Sequence, residues 1–291
     1  MSLVDFVTGP MAYGFMQRGL VAAILVGVVC AVMGTFVVLK GLAFIGDAVS
    51  HAAFPGLVIA YLLGIPLYVG AAAAAVLTAL AIGAVSRRGG LRFDTAVGVL
   101  FAGTFALGIL LFSTIRNYVA DLFSYLLGNV LGIATEDLVQ IALLGVIVLA
   151  VLYVLRKELL YSTFDPAGAA ASGLPVNRLE YLLLGLLGVT IVVSIQAVGI
   201  IMVVAMLVTP AATAQLLVVR FGRMLSLAVW VAVVSAVSGL YLSYYLNVAS
   251  GASIVLVETA LFGAALVFSP RRGLLARRHH EPTGAAVAPG A

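Results

Sequence analysis

Apolar residues run through this chain in long unbroken stretches, cut at intervals by short clusters of basic, glycine and proline residues. Stretches long enough to cross about 30 Å of hydrocarbon fall at roughly 19–39, 42–63, 66–86, 95–113, 138–155, 180–197, 198–219, 225–246 and 252–269. Each predicts a membrane-spanning helix, because within lipid a segment must satisfy its own backbone hydrogen bonds. The run from about 180 to 219 is too long for one span, and Ser194, Gln196 and Gly199 mark a bend that divides it. The segment from Tyr118 to Gly132 is apolar but short and contains Asp121, Gly128 and Asn129. The expected fold class is all-α: a polytopic membrane protein of eight or nine transmembrane helices, with a short re-entrant or peripheral segment near 118–132.

The polar breaks predict orientation. Arg271, Arg272, Arg277 and Arg278 are placed in the cytoplasm and the spans alternated backwards. Lys40, Arg87, Arg88, Arg92, Arg156, Lys157, Arg178, Arg220 and Arg223 then fall on the same side. Only Arg18 and Arg116, of 15 Lys and Arg, are left outside, the bias expected of cytoplasmic loops. The first dozen residues could form an interfacial helix on either side. Tyr241, Tyr244 and Tyr245 fit an aromatic belt at the outer end of their span. Residues 1–270 are expected to form a single transmembrane domain, and 271–291 a disordered cytoplasmic tail. The sizeable inner loop, 156–178, contains a capped element: Asp165 as N-cap, Pro166 in the first helical position, Ala167 and Gly168 following, then Gly173 and Pro175 as stops. A short helix on the cytoplasmic surface follows, serving either as a docking element for a soluble partner or as a plain connector.

Composition agrees with the pattern. The chain is 64% hydrophobic and 9% charged, with a mean hydropathy of +1.25, whereas soluble domains carry about 25% charged residues. No polar stretch could house a soluble enzyme domain. The basic residues punctuate hydrophobic runs and form no basic face, so nucleic acid is not expected as a partner. The pattern G-x-x-x-x-G-K-[ST] is lacking, so any ATP-driven transport needs a separate ATPase chain and this chain is not expected to be an enzyme. Residue 1 reads as part of the mature protein, since nothing there resembles a removable signal peptide. The single cysteine, Cys30, is expected to pack rather than pair. Small residues, 31 Gly and the run Ala71 to Ala75 among them, favour close helix approach.

Within this apolar background the chemistry concentrates at Asp47 and His51. Four residues apart, they share one helix face. An Asp at the bilayer centre costs about 2.5–3.5 kcal/mol on insertion scales, so such a residue needs a reason. A carboxylate and an imidazole so placed can share a divalent cation; an Asp–His hydrogen bond is the plain alternative. Ser50 points off that face, and Pro55 with Gly56 should kink the helix. Glu258, in the last span, is a second intramembrane acid, expected near the extracytoplasmic end as a metal contact or a structural acceptor. Asp121 is similarly ambiguous. Asp94 reads as a helix N-cap, and His279-His280-Glu281 as a small metal-binding tract in the tail.

The segment Gly34-Thr-Phe-Val-Val-Leu-Lys-Gly-Leu-Ala-Phe-Ile-Gly-Asp-Ala-Val-Ser-His-Ala-Ala-Phe-Pro-Gly56 resembles the signature of ABC-type manganese, zinc and iron uptake permeases, the ABC-3 family. Supporting stretches run from Asp121 to Gly132, from Gln196 to Gly199 leading to Thr209 to Ala214, and from Tyr244 to Ala252. Lys40-Gly41 departs slightly from a family that often has two basic residues there.

The resemblance implies a permease subunit of an ATP-driven importer of a divalent transition metal, in the plasma or inner membrane of a prokaryote. It implies a homodimer served by a cytoplasmic ATP-binding subunit and an extracytoplasmic metal-binding protein. Metal contacts map onto Asp47 and His51, and the ATPase-docking helix onto Asp165 to Gly173. Manganese, zinc or ferrous iron would be the cargo, with no permanent cofactor. The competing function is an ion-coupled secondary metal transporter in which Asp47 and His51 relay protons. An intramembrane enzyme fits poorly, for want of a third strong ligand.

Overall fold

A computed structural model describes residues 8–115, 128 and 130–269 of the chain. Among the described residues the regular structure is helical. The helices are α1 (Gly14–Leu39), α2 (Ala43–Leu63), α3 (Leu67–Gly89), α4 (Phe93–Ser113), α5 (Thr135–Val154), α6 (Arg156–Phe164), α7 (Pro166–Ala171), α8 (Val176–Val198), α9 (Ile200–Leu217), α10 (Phe221–Leu246) and α11 (Ser250–Phe268). Eight of them are long and apolar enough to cross a membrane. A ninth, α9, is 18 residues long, so the expected eight or nine spans stand. The long apolar run divides at Gly199, whose φ of 82° lies in the region favoured by glycine. Ser194 does not take part in the break. It lies within α8 and donates to the Thr190 carbonyl at 2.7 Å. Of the short segment near 118–132, only Gly128 and a 3-10 turn at Val130–Gly132 are described; Asp121 and Arg116 lie outside the described residues, as do Arg271 to Ala291.

The bundle is organised around α1, which packs on α5, α8, α9 and α10. A second group, α2 with α3 and α4, is joined to it through α8 and α9. Helices in lipid gain little from apolar contact as such, so they associate by close packing. Gly34 of α1 faces α9 so closely that a Cβ there would lie 1.8 Å from the Leu207 carbonyl oxygen. Gly56 of α2 and Gly70 of α3 lock reciprocally: a Cβ on either would lie 2.2 Å from the other's carbonyl oxygen. Pro55 sits inside α2 without ending it. Gly56 beside it is therefore a packing residue.

The connections sort onto two ends. At one, Arg18 Nε donates to the Ile133 carbonyl at 3.2 Å, and Tyr13 meets Tyr244, itself stacked edge-on against Tyr245. At the other, Arg87 bonds Asn177, Ser269 Oγ donates to the Leu216 carbonyl at 2.8 Å, and Leu39, Phe164 and Val219 line one cavity. The loops that the basic residues grouped together thus share one face of the bundle.

Alanine at Gly56 or Gly70 should lower the unfolding midpoint in detergent, at a cost of about 1–3 kcal/mol each for overpacking. Cys30 is the sole cysteine and is buried, so a thiol-reactive dye reports the transition. Gly103→Ala, with no atom within 4 Å of the added Cβ, is the control that should leave the midpoint unchanged or raised.

Candidate functional site

After the turn at Lys40 to Leu42, α2 begins at Ala43, and Asp47 and His51 follow in its first three turns. At 1.5 Å per residue, Asp47 lies roughly 6 Å and His51 roughly 12 Å along an axis of about 30 Å. The pair therefore lies in the half of α2 that starts from the basic-loop end, with Asp47 nearer that end and His51 close to the middle. His51 Nε2 stands 3.5 Å from Asp47 Oδ1. That separation is long for a hydrogen bond. Two ligands each about 2.1 Å from one ion stand roughly 3.0–3.4 Å apart, so a cation could bridge the pair with little movement.

Aromatic packing fixes the imidazole. The ring meets the edges of Phe101 and Phe105 on α4, with centroids 5.4 and 5.3 Å away, and those two phenyl rings stack on each other. His51 Nδ1 is buried and has no hydrogen-bond partner among the described residues. Asp47 is left open: its side chain is 52% exposed against 25% for His51. Ser50 turns away as expected; it is buried and donates to the Asp47 carbonyl at 2.9 Å.

Beside the pair is a cavity of about 230 Å³, with Phe44, Asp47, Asp94 and Phe101 in its wall. Asp94 is the residue that sequence reasoning misplaced. Arg92 occupies the N-cap position of α4, without a side-chain cap, and Asp94 lies in the first turn. An acid there suits the helix dipole, and spacing along the chain gives no sign that it shares a cavity with Asp47. Among the described residues no three His, Cys, Asp or Glu side chains converge as a metal cluster. The chain alone thus offers two close ligands and one more distant acid.

Glu258 differs from its expected position. It lies in the middle of α11, fully buried, and neither carboxyl oxygen has a hydrogen-bond partner among the described residues. Its helix packs mainly on α9 and α10, so Glu258 is not brought to the Asp47/His51 pair. Cys30 is buried on α1, its Sγ 3.0 Å from Ser194 Oγ of α8, a packing contact with one polar link. The His279-His280-Glu281 tract lies outside the described residues.

The short capped element is present as α7. Asp165 Oδ1 accepts from the Gly168 amide at 2.8 Å, and Pro166 takes the first helical position. Gly173, with φ 85°, closes the element while its amide donates to the Ala170 carbonyl. Asp165, Pro166, Ala167 and Ala170 are exposed and Ala169 is buried, so one face of α7 is open. Ahead of it lies α6, a second helix within the expected loop 156–178.

A model described as the ABC 3 transport family matches residues 12–269. The chain belongs to that family. A manganese transport system membrane protein, MntC, of Halalkalibacterium halodurans is 47% identical over 95% of this chain and 94% of its own length. A chelated iron transport system membrane protein, YfeD, of Yersinia pestis is 42% identical over 92% of this chain and 90% of its own. Among solved structures, PsaBC from Streptococcus pneumoniae in complex with Fab is 35% identical, covering 95% of this chain and 100% of that one with a TM-score of 0.84. A putative metal-chelate type ABC transporter in an inward-facing conformation shares the fold, at 17% identity and a TM-score of 0.70.

Loss of the Asp165 cap should fray α7 alone. Hydrogen exchange on Asp165→Ala should show the Gly168 amide exchanging about 5-fold faster, as expected for a cap of about 1 kcal/mol, with the amides of α8 unchanged.

Proposed function

We propose that this chain is the membrane-spanning permease of an ATP-driven importer of a divalent transition metal, and that Asp47 and His51 form its transit contact. The observation that carries the site is the 3.5 Å separation of an imidazole nitrogen and a carboxylate oxygen in the wall of a cavity, within a membrane-spanning helix. Kinship with manganese and chelated-iron transport proteins supports manganese or ferrous iron as cargo; zinc remains chemically admissible, because Asp and His do not select strongly among these ions.

Asp47 is half exposed on a helix that is mostly buried in the bundle. An open carboxylate at membrane depth needs a partner or a water-filled cavity. A second copy of the chain, facing the α2/α4 side, would meet that need and bring a second Asp–His pair to the cargo. Asp94, in the wall of the same cavity, then stands between the pair and the cytoplasm.

The same reading assigns the two ends. The end holding Lys40, Arg87, α7 and Ser269 faces the cytoplasm of a prokaryotic cell, by the bias of basic residues, and the chain beyond Ser269 lies on that side. Residues up to about 270 act as a single permease domain. There α7 meets the ATP-binding subunit that hydrolyses ATP, through the face on which Asp165, Pro166, Ala167 and Ala170 are exposed. The opposite end receives the metal-binding protein. An ion-coupled carrier is the weaker reading, because membership of an ABC transport family points to a separate ATPase.

Reconstitution with the ATP-binding subunit and metal-binding protein tests the proposal. Mn²⁺ uptake should require ATP, and Fe²⁺ should compete with it more strongly than Mg²⁺. Asp47→Ala and His51→Ala should each abolish uptake while leaving dimer assembly and ATP binding intact. Near-normal accumulation in assembled variants would falsify the site, and uptake by the chain alone under a pH gradient would overturn the energy source.

A further inference from the structure

The cytoplasmic end holds a polar junction that neither the metal pair nor the docking helix explains. Arg87, in the last turn of α3, donates to Asn177 Oδ1 and to Glu180 Oε2 on α8. Its guanidinium also lies 5.8 Å from the ring centroid of Tyr181. Asn177, Glu180 and Tyr181 occupy neighbouring positions on one face of α8, and a planar guanidinium is suited to such a forked grip in a way that lysine is not.

Chain connectivity gives this grip its meaning. Only Ser172 to Pro175 separate α7 from α8, so Arg87 holds the first turns of the helix that α7 leads into. On its other side, α3 is locked to α2 at Gly70 and Gly56, and α2 carries Asp47 and His51. Lys40, just ahead of α2, is within the field of Arg87: its pKa is held below the ordinary lysine value, by burial first and by the Arg87 charge second. One arginine thus stands where the turn leading into the metal-bearing helix, its packing partner and the outlet of the docking helix meet.

The junction is not needed to keep α3 and α8 together. Farther into the bundle, Gly188 lies against Val76 and Gly83 beneath Leu184 and Tyr181, so close that an added Cβ would come within 3 Å of Val76 and of Leu184. The Arg87 and Glu180 side chains are 31% and 23% exposed, and partly exposed ion pairs add little stability. What the junction can do is make the end of α3 follow the start of α8.

We infer that Arg87 is a positioning residue that couples movement of α7 to the α2/α3 pair bearing Asp47 and His51, through its bonds to Asn177 and Glu180. This rests on the reading that α7 docks an ATP-binding subunit. The partner-driven movement enters α8 at Val176, is transferred to α3 at Arg87, and reaches α2 through the Gly56/Gly70 contact.

The test is the number of Mn²⁺ ions imported per ATP hydrolysed in proteoliposomes holding the chain, its ATP-binding subunit and its metal-binding protein. Arg87→Ala should assemble and hydrolyse ATP, yet import about 5-fold fewer ions per ATP or less, the lower range of measurable couplings between sites. Arg87→Lys should fall between it and the wild type. Glu180→Gln, which keeps side-chain shape and carries the test if Arg87→Ala assembles poorly, should also lower the ratio. The double variant should be no worse than Arg87→Ala, because both changes break one junction. An unchanged ratio in Glu180→Gln or Arg87→Ala, or losses that multiply in the double variant, would overturn the inference. Failure of the docking reading is distinguishable: charge-reversing or bulky substitutions at the exposed Ala167 and Ala170 of α7 would then leave binding of the ATP-binding subunit unchanged.

Discussion

Backbone-to-backbone approach at glycine is the contact on which this bundle depends. Lipid chains are as apolar as leucine, so burying more leucine against leucine gives helices little reason to choose one neighbour over another. Choice comes where two helices can approach until carbonyl oxygens fill the space of a missing Cβ. Gly34 against Leu207 sets α1 on α9, and Gly56 against Gly70 sets α2 on α3. At Gly239 a Cβ would lie 2.5 Å from the Ile254 Cα, which sets α10 on α11. Each contact fixes rotation about the helix axis as well as distance. Rotation decides which residues face a neighbour, and so the Gly56 contact is upstream of the orientation of Asp47 and His51 on the same helix.

Rotation in turn explains the unequal surroundings of the two ligands. The helix face opposite Gly56 and its neighbours meets α4, where Phe101 and Phe105 hold the His51 ring by its edges. Asp47, one turn nearer the helix start, escapes that wall and opens on the cavity it shares with Asp94. One side chain is clamped and the other is open.

What the amino-acid order made legible was whatever is decided within about twenty consecutive residues. The spans follow from hydropathy alone, the division at Gly199 from one residue suited to positive φ, and α7 from the local sequence of cap, proline and stop. The Asp47/His51 pair was readable because its partners are one helical turn apart. Relations between distant segments were not readable. Asp94 was read as a cap because a carboxylate after Arg92 looks like a local device, and only the packing of α4 on α2 shows the cavity it shares with Asp47. Glu258 was expected near an end because its span has few polar marks to fix depth. The grip of Arg87 on Asn177 and Glu180 spans some ninety residues of chain, and its three groups are ordinary loop-flanking residues until α3 and α8 are seen to run side by side. The helix α6 is not marked in the sequence because its polar residues carry no periodic signal.

The depth of the Asp47/His51 pair carries a last consequence. A cation crossing an apolar bundle loses hydration at the narrowest place, and ligands are most needed there. Asp47 and His51 lie within the first half of α2, and α2 starts from the end that collects the basic loops. Two such groups from one chain, one of them open to a cavity with a further acid in its wall, would leave the coordination of a cation to be completed by a second copy, water, or the next acid along. Such a site holds the ion only while the bundle is shaped to complete it. The relation of α2 to α3 is set at the Gly56/Gly70 contact and that of α3 to α8 at Arg87, so the surroundings of the pair depend on both.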